Sequence, residues 1–406
     1  MAWIREWGWK LAILALPWQT RWFQEGPMAG GLPWEQGRLS VYVAWIPMIL
    51  TIFVACADFK ENPEDRDEIS ITDWMLFAGI LLLGLPAFVS VFPQASWQWL
   101  TQVILLVFFA WSLQQLKIKS RDILGWSVCS LVPHALLGMF QFFTQSVFGS
   151  KWLGMAAQHP ATPGVSVVEA GGQRILRAYG GFPHPNIFGG WLAYGLSAVT
   201  LIAIQAKQRE KYILASAAII FSVALVFTFS RSAWLAAALG VLTAALMAWR
   251  ETKRYFVPGV ILLSTLVTLF FVRDIALIRA DTGTRLEQKS VSERSASLSA
   301  AQSLIPEEWW LGQGQNTAIF ALDRAGKGIV PPHFIPILIL LETGIIGVLG
   351  AVLLFGRWAA KSGWSSLLPL AIAIPLLLFD HYLWSIWSGQ VLLMWLALLP
   401  LTKREK

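Results

Sequence analysis

Charge is scarce in this chain. Asp, Glu, Lys and Arg make up 14% of its 406 residues, where an ordinary soluble domain carries about 25%. Apolar residues reach 56% and mean hydropathy is +0.58, which excludes a soluble enzyme. Cysteine is almost missing as well. Cys56 and Cys129 both sit within apolar runs, so a disulfide framework and a thiolate metal site are excluded, and the two read as small buried hydrophobes. A signal-peptide cleavage site is not evident either: Arg5 and Lys10 precede a short apolar stretch, but no small-residue site follows before Pro17.

What fills the chain instead is a succession of apolar runs near the roughly 20 residues that a spanning helix needs. They lie at about 7–24, 38–57, 72–93, 97–116, 122–148, 187–206, 211–229, 232–249, 255–273, 334–357, 366–380 and 385–401. The first has a short uncharged core, so eleven or twelve transmembrane helices are expected. Many of the 23 Trp residues flank these runs (Trp45, Trp74, Trp97, Trp99, Trp111, Trp234, Trp249, Trp358), the position of an interfacial aromatic belt. The fold class is an all-α polytopic membrane protein, a single integral membrane domain over 1–406.

The net charge of +7 is spread in short clusters between runs and is not a nucleic-acid footprint. Lys60 and Arg66, then Lys117, Lys119 and Arg121, then Lys207, Arg209 and Lys211, then Arg250, Lys253 and Arg254, then Arg357 and Lys361, and finally Lys403, Arg404 and Lys406 fall on alternate loops. The positive-inside rule assigns that side to the cytoplasm. The opposite side receives a first extracytoplasmic segment, 149–186, and a large loop, 274–332, between the spans that end near 273 and start near 334. The Trp-, Gly- and Pro-rich stretch 307–333 suits a loop lying along the membrane surface.

Polar groups converge on that outer side. RAYGGFPHPNIFGG, residues 177–190, leads into an apolar run, and unpaired backbone groups near a bilayer core cost several kcal/mol each. Arg177, Gly180, Gly181, His184 and Asn186 can be read as a turn, an N-cap at Asn186 and a helix start, or as an anion site. Arg231, in VFTFSRSAWLA, lies between two apolar runs with almost no loop. It either snorkels at a tight turn or marks a site. His333 opens the run FIPILILLETGIIG, where it is an interfacial residue or a proton acceptor. Glu342, nine residues on, lies about 13 Å deeper, and reads as a buried hydrogen-bonding group or a cavity wall. His381, beside Asp380, supports the same region, whereas His134 reads as a core histidine. Arg285 and Arg294 are ordinary loop cations by charge alone. No HExxH, CxxC, outer-loop DxD, P-loop or dinucleotide fingerprint occurs, which argues against an ATP-driven pump and a nucleotide-sugar enzyme. Neither a cofactor nor a metal is called for.

Four stretches in order, RAYGGFPHPNIFGG, FTFSRSAWLA, ERSASLSAAQSLIPEEWWLGQGQNTAIF and PPHFIPILILLETGIIG, resemble the O-antigen ligase and polymerase superfamily from about 177 to 350. The resemblance implies a GT-C-like membrane enzyme of the bacterial cytoplasmic membrane whose active site faces the periplasm or cell exterior. It implies transfer of a glycan from an undecaprenyl-diphosphate carrier to lipid A core, a growing polysaccharide or a protein, without a metal, in company with other envelope assembly proteins. It assigns Arg231, Arg294 and Arg177 to the diphosphate, with Arg285 as the fallback for Arg294, and His333 to acceptor activation. Many members carry Asn after this His; here it is Phe334. Two other readings stand beside this one: a secondary transporter like the superfamily's bicarbonate-transport members, which would show paired broken helices and midplane charges, and a non-catalytic envelope-assembly scaffold.

Overall fold

The computed structural model describes residues 2–61, 71–247, 255–281 and 285–399. The basic residues Arg66, Arg250, Lys253, Arg254, Lys403, Arg404 and Lys406 therefore lie outside the described residues. Helices dominate: α1 (Ala2–Ala15), α2 (Trp45–Glu61), α3 (Ile71–Gly84), α4 (Pro93–Gln115), α5 (Ser120–Thr144), α6 (Pro185–Gln205), α7 (Gln208–Phe227), α8 (Arg231–Met247), α9 (Phe256–Phe271), α10 (Arg273–Ala280), α11 (Arg285–Leu304), α12 (Ala318–Arg324), α13 (Ile335–Ser362), α14 (Leu367–Phe379), α15 (Tyr382–Ser385) and α16 (Trp387–Leu398). Among the described residues the strands form three two-stranded pieces, β1 (Arg21–Gln24) with β4 (Leu39–Tyr42), β2 (Met28–Ala29) with β3 (Leu32–Pro33), and β5 (Val167–Ala170) with β6 (Gln173–Leu176), beside two isolated bridges, Val147 with Gln158 and Ser150 with Met155. This is an all-α polytopic membrane protein.

A helix falls within every apolar run read from the sequence. By length and composition, five helical stretches suffice to cross a membrane: Pro93–Gln115, Ser120–Thr144, Pro185–Gln205, Gln208–Phe227 and Ile335–Phe379, the last of which takes in both α13 and α14. The bent pair α9 and α10, which meet at 90°, makes a sixth if counted as one span. The shorter apolar helices Trp74–Phe88, Arg231–Met247 and Trp387–Leu398 complete the bundle. The most buried of the long helices is α6, whose Trp191, Leu192, Ala193, Ala198 and Val199 are wholly enclosed. Its neighbours α5, α7 and α8 wrap around it. Because α6 starts within the Arg177–Gly190 segment, at Pro185, the most buried of the long helices anchors that segment.

Three expectations are corrected. Residues 16–24 of the first run and 38–44 of the second are not helical: Pro17 stops the first helix and Gly26, Pro27, Gly30, Gly31 and Pro33 turn the chain between them, and Arg21 on β1 forms a half-buried ion pair with Glu35 and a hydrogen bond to Tyr42 on β4. The second apolar run therefore becomes helical only at Trp45. Cys56 and Cys129 are free and exposed. They lie on α2 and α5, helices that also turn Phe53 and Phe140 outward, so both belong to the apolar outer surface and not to the core.

The third correction concerns 307–333, which does not lie flat. Its first part is laid into a break in α13. Gly344 adopts φ +58° and ψ −168° within that helix, a conformation open to glycine and costly for other residues. The freed backbone groups of α13 are met by the loop. Ile345 and Ile346 donate to the carbonyls of Trp309 and Trp310 at 2.9 and 3.1 Å, while Gln313 and Gly314 donate to those of Leu341 and Glu342 at 3.0 and 2.8 Å. This is how irregular backbone is tolerated at membrane depth: it is satisfied inside the protein. A Cβ at Gly344 would meet the Trp310 carbonyl. Gly344→Ala is therefore expected to cost about 1–2 kcal/mol or more, read as a lowered thermal midpoint of the purified protein.

Candidate functional site

The site is built where α6, the α7–α8 turn, α10, α11, α13 and the α14–α15 joint meet. It starts from one buried cation. Arg177, 5% exposed, donates from Nε to the Thr228 carbonyl at 2.6 Å and from Nη2 to Asn186 Oδ1 at 2.6 Å. Asn186 in turn donates from Nδ2 to Asp380 Oδ2 at 2.8 Å. Asp380, 6% exposed, receives the His381 backbone N–H on its other oxygen at 2.8 Å. One chain of hydrogen bonds thus fixes the fork of Arg177 and the carboxylate of Asp380 against α6.

The sequence assigned the N-cap of α6 to Asn186. The structure corrects this: His184 is the cap, its Nδ1 accepting the Asn186 N–H at 3.1 Å with Pro185 at the first helical position. The Asn186 side chain is thereby left to bridge Arg177 and Asp380. His184 Nε2 meets Ser166 Oγ at 2.8 Å, so both of its ring nitrogens are engaged. Gly180 (φ +59°) and Gly181 form the turn that packs on α5: Gln141 Nε2 donates to the Gly180 carbonyl at 2.8 Å, and Gly181 N–H donates to His134 Nδ1 at 3.1 Å. A side chain at Gly181 would collide with His134.

Arg231 heads α8 directly after the turn 228–230, in which Phe229 is held at φ +46°. Its Nη1 donates to the Arg279 carbonyl at 3.3 Å, and Arg279 Nε returns a bond to the Phe229 carbonyl at 3.2 Å. Arg279, on α10, was not singled out from sequence, because nothing distinguishes it there from other loop cations. Arg177 and Arg279 both feel Arg231 and Arg294. Burial lowers Arg177 to about 10 against the attraction of Tyr179 and Asp380, with smaller repulsions from Arg231 and Arg294 adding to it. Burial and then Arg177, Arg231 and Arg294 lower Arg279 to about 9. Four guanidinium groups therefore share one region. Arg285 does not join them: it is exposed at the start of α11 and pairs with Glu169 of β5 at 2.7 Å.

His333 stands just ahead of α13, its ring 5.2 Å from that of His381 in an edge-to-face arrangement. His381 Nδ1 meets Ser385 Oγ at 2.6 Å. One ligand-type atom from each of His333, Asp380 and His381 lies within 4.8 Å of the others. Burial lowers the His333 imidazole from its ordinary 6.5, although Asp380 pulls it back up. Burial likewise brings His381 down to about 4 and, with help from Arg177, holds His184 well below the usual range. Burial alone would raise Asp380, but His381, His333, His184 and the Asn186 amide outweigh it and keep the carboxylate ionised. At pH 7 the site thus holds neutral imidazoles around one carboxylate, flanked by arginines.

Glu342 takes no part in this cluster. It is 1% exposed and accepts the Asn316 and Ala318 N–H groups at 2.7 and 3.0 Å and Trp384 Nε1 at 2.6 Å. The carboxylate thereby ties the inserted loop and the start of α12 to α15.

Residues 216–352 match the family model described as O-antigen ligase. No curated protein matches the chain. The matched segment contains Arg231, Arg279, Arg294 and His333; Arg177, Asn186, Asp380 and His381 come from either side of it. This match over about a third of the chain supports, for this multi-pass membrane protein, a place in the O-antigen ligase and polymerase superfamily and, at the family level, ligase-like glycan transfer in polysaccharide biosynthesis.

Proposed function

We propose that the protein transfers a glycan from an undecaprenyl-diphosphate carrier to a hydroxyl acceptor at the outer face of the bacterial cytoplasmic membrane. The observation that carries this reading is the convergence of Arg177, Arg231, Arg279 and Arg294 beside a neutral, half-buried His333. Like charges gathered at this density are relieved by a polyanion, and guanidinium forks match diphosphate oxygens better than ammonium groups do. The carrier already has a good leaving group. The acceptor oxygen bonds to the anomeric carbon as the bond from that carbon to the diphosphate oxygen breaks. The leaving diphosphate keeps the electron pair, and its charge is stabilised by the arginines. The acceptor proton passes to a nitrogen of His333, and Asp380 stabilises the imidazolium that forms.

Two cations of the same helix, α11, separate this reading from non-specific charge effects. In liposomes supplied with a lipid-diphosphate-linked glycan and an acceptor glycan, Arg294→Ala is expected to lower transfer by about 10²–10³-fold. Arg285→Ala, which removes only the exposed pair with Glu169, is expected to stay within about twofold, since surface ion pairs contribute little. Equal losses in the two variants, or solute uptake by the reconstituted protein without any lipid-linked donor, would overturn the proposal.

A further inference from the structure

We propose that His333, Asp380 and His381 form a binding site for one divalent transition ion of the zinc type, and that its occupation inhibits transfer. The site is assembled from two places in the chain, the start of α13 and the Asp-His dipeptide at the α14–α15 joint, and its ligand-type atoms are mutually within 4.8 Å. Around a tetrahedral zinc, with bonds of about 2.0–2.2 Å, such atoms stand roughly 3.4 Å apart, so small side-chain rotations close the set.

Two of the three ligands are already oriented by a partner, as metal ligands commonly are. Ser385 Oγ engages His381 Nδ1 at 2.6 Å and leaves Nε2 for the ion. Asn186 and the His381 backbone N–H hold the two Asp380 oxygens. The third ligand, His333, has a buried Nδ1 that makes no well-formed hydrogen bond, and the Pro331 backbone is the imidazole's only hydrogen-bonding neighbour among the described residues. His184 is excluded as a ligand because both of its nitrogens are engaged. Two imidazoles and one carboxylate select zinc-like ions over magnesium, which prefers oxygen ligands.

The arginines shape the behaviour of this site. Arg294 acts on His333, and Arg177 lies beside Asp380 through Asn186. Both oppose a dication, so a bound anion strengthens its binding. A nitrogen of His333 that is donated to the ion cannot accept the acceptor proton. This inhibitory half rests on the transfer reading; the binding half does not.

The test uses the full chain in nanodiscs, without glycan donor, titrated with Co²⁺. Expected are one bound equivalent, the visible absorption of a four-coordinate His-containing site, displacement by Zn²⁺ and tighter binding when inorganic pyrophosphate is present. His381→Ala and Asp380→Asn should weaken binding by about 100-fold or more, and Ser385→Ala, which removes only the orienting partner, by about 10–100-fold. The Ser385 variant keeps the test decisive should a ligand variant fail to fold. No binding by the wild type, or binding unchanged in the Ser385 and His381 variants, overturns the site while leaving the transfer reading standing. Full transfer activity with the site loaded overturns the inhibitory half.

Discussion

Replacing His333 with alanine is expected to lower glycan transfer by about 10²–10⁴-fold, the range for loss of a positioned general base, with membrane insertion intact. His333 precedes α13 and is not within it, so the change removes a ring without breaking a helix. The wild-type pH profile carries the same assignment. A base works in its neutral form, and burial lowers His333 from the ordinary 6.5. Transfer should therefore be flat from pH 7 upward and fall, as pH decreases, only below 6.5. Near-wild-type transfer by the alanine variant in the liposome assay would remove His333 from the chemistry. A profile that falls with acid above pH 7 would place the base elsewhere.

The second large effect is expected at Asp380. Asp380→Asn keeps the shape, but it presents an amide to Asn186 Nδ2 and to the His381 N–H where the carboxylate accepted both. It also removes the charge that raises His333. Loss of imidazolium stabilisation should cost about 10²–10³-fold in kcat. The acid limb should move to lower pH, because His333 without its carboxylate binds a proton less readily. A role confined to tying α6 to the α14–α15 joint would lower the yield of folded protein without moving that limb. An unchanged limb in a well-folded variant would separate Asp380 from the base.

The sequence made the bundle legible because long apolar runs have few alternatives in a bilayer. Arg231 and His333 were legible for a related reason: a cation or an imidazole at the mouth of a spanning run is costly and draws notice. Arg279 was not, because in a polar loop one Arg resembles another until α10 turns through 90° and presents it to Phe229. The choice between Arg285 and Arg294 was equally hidden. Both lie on α11, and only the position of the β5–β6 hairpin, which supplies Glu169, tells them apart. Asn186 reads as a cap in the sequence and stands as a bridge in the fold, since residues well suited to capping are also well suited to bridging a cation and a carboxylate. The insertion at Gly344 left no period in the sequence to read: a glycine inside an apolar run looks the same whether the helix continues or breaks.

The Glu342 tie sets which walls of the site can yield. It joins the inserted loop to α15, and α15 begins one residue after His381. The base side of the site is therefore cross-braced from beneath and behaves as a fixed anvil. Arg294 sits on the outward-facing first half of α11, and Arg279 on the short α10 beyond a right-angled joint. On the proposed function, admission of a bulky lipid-borne donor is expected at Arg279 and Arg294, because Arg177 is held to Asp380 through Asn186. Amide hydrogen exchange should record that division, slow at 313–318 and faster by orders of magnitude at 288–296.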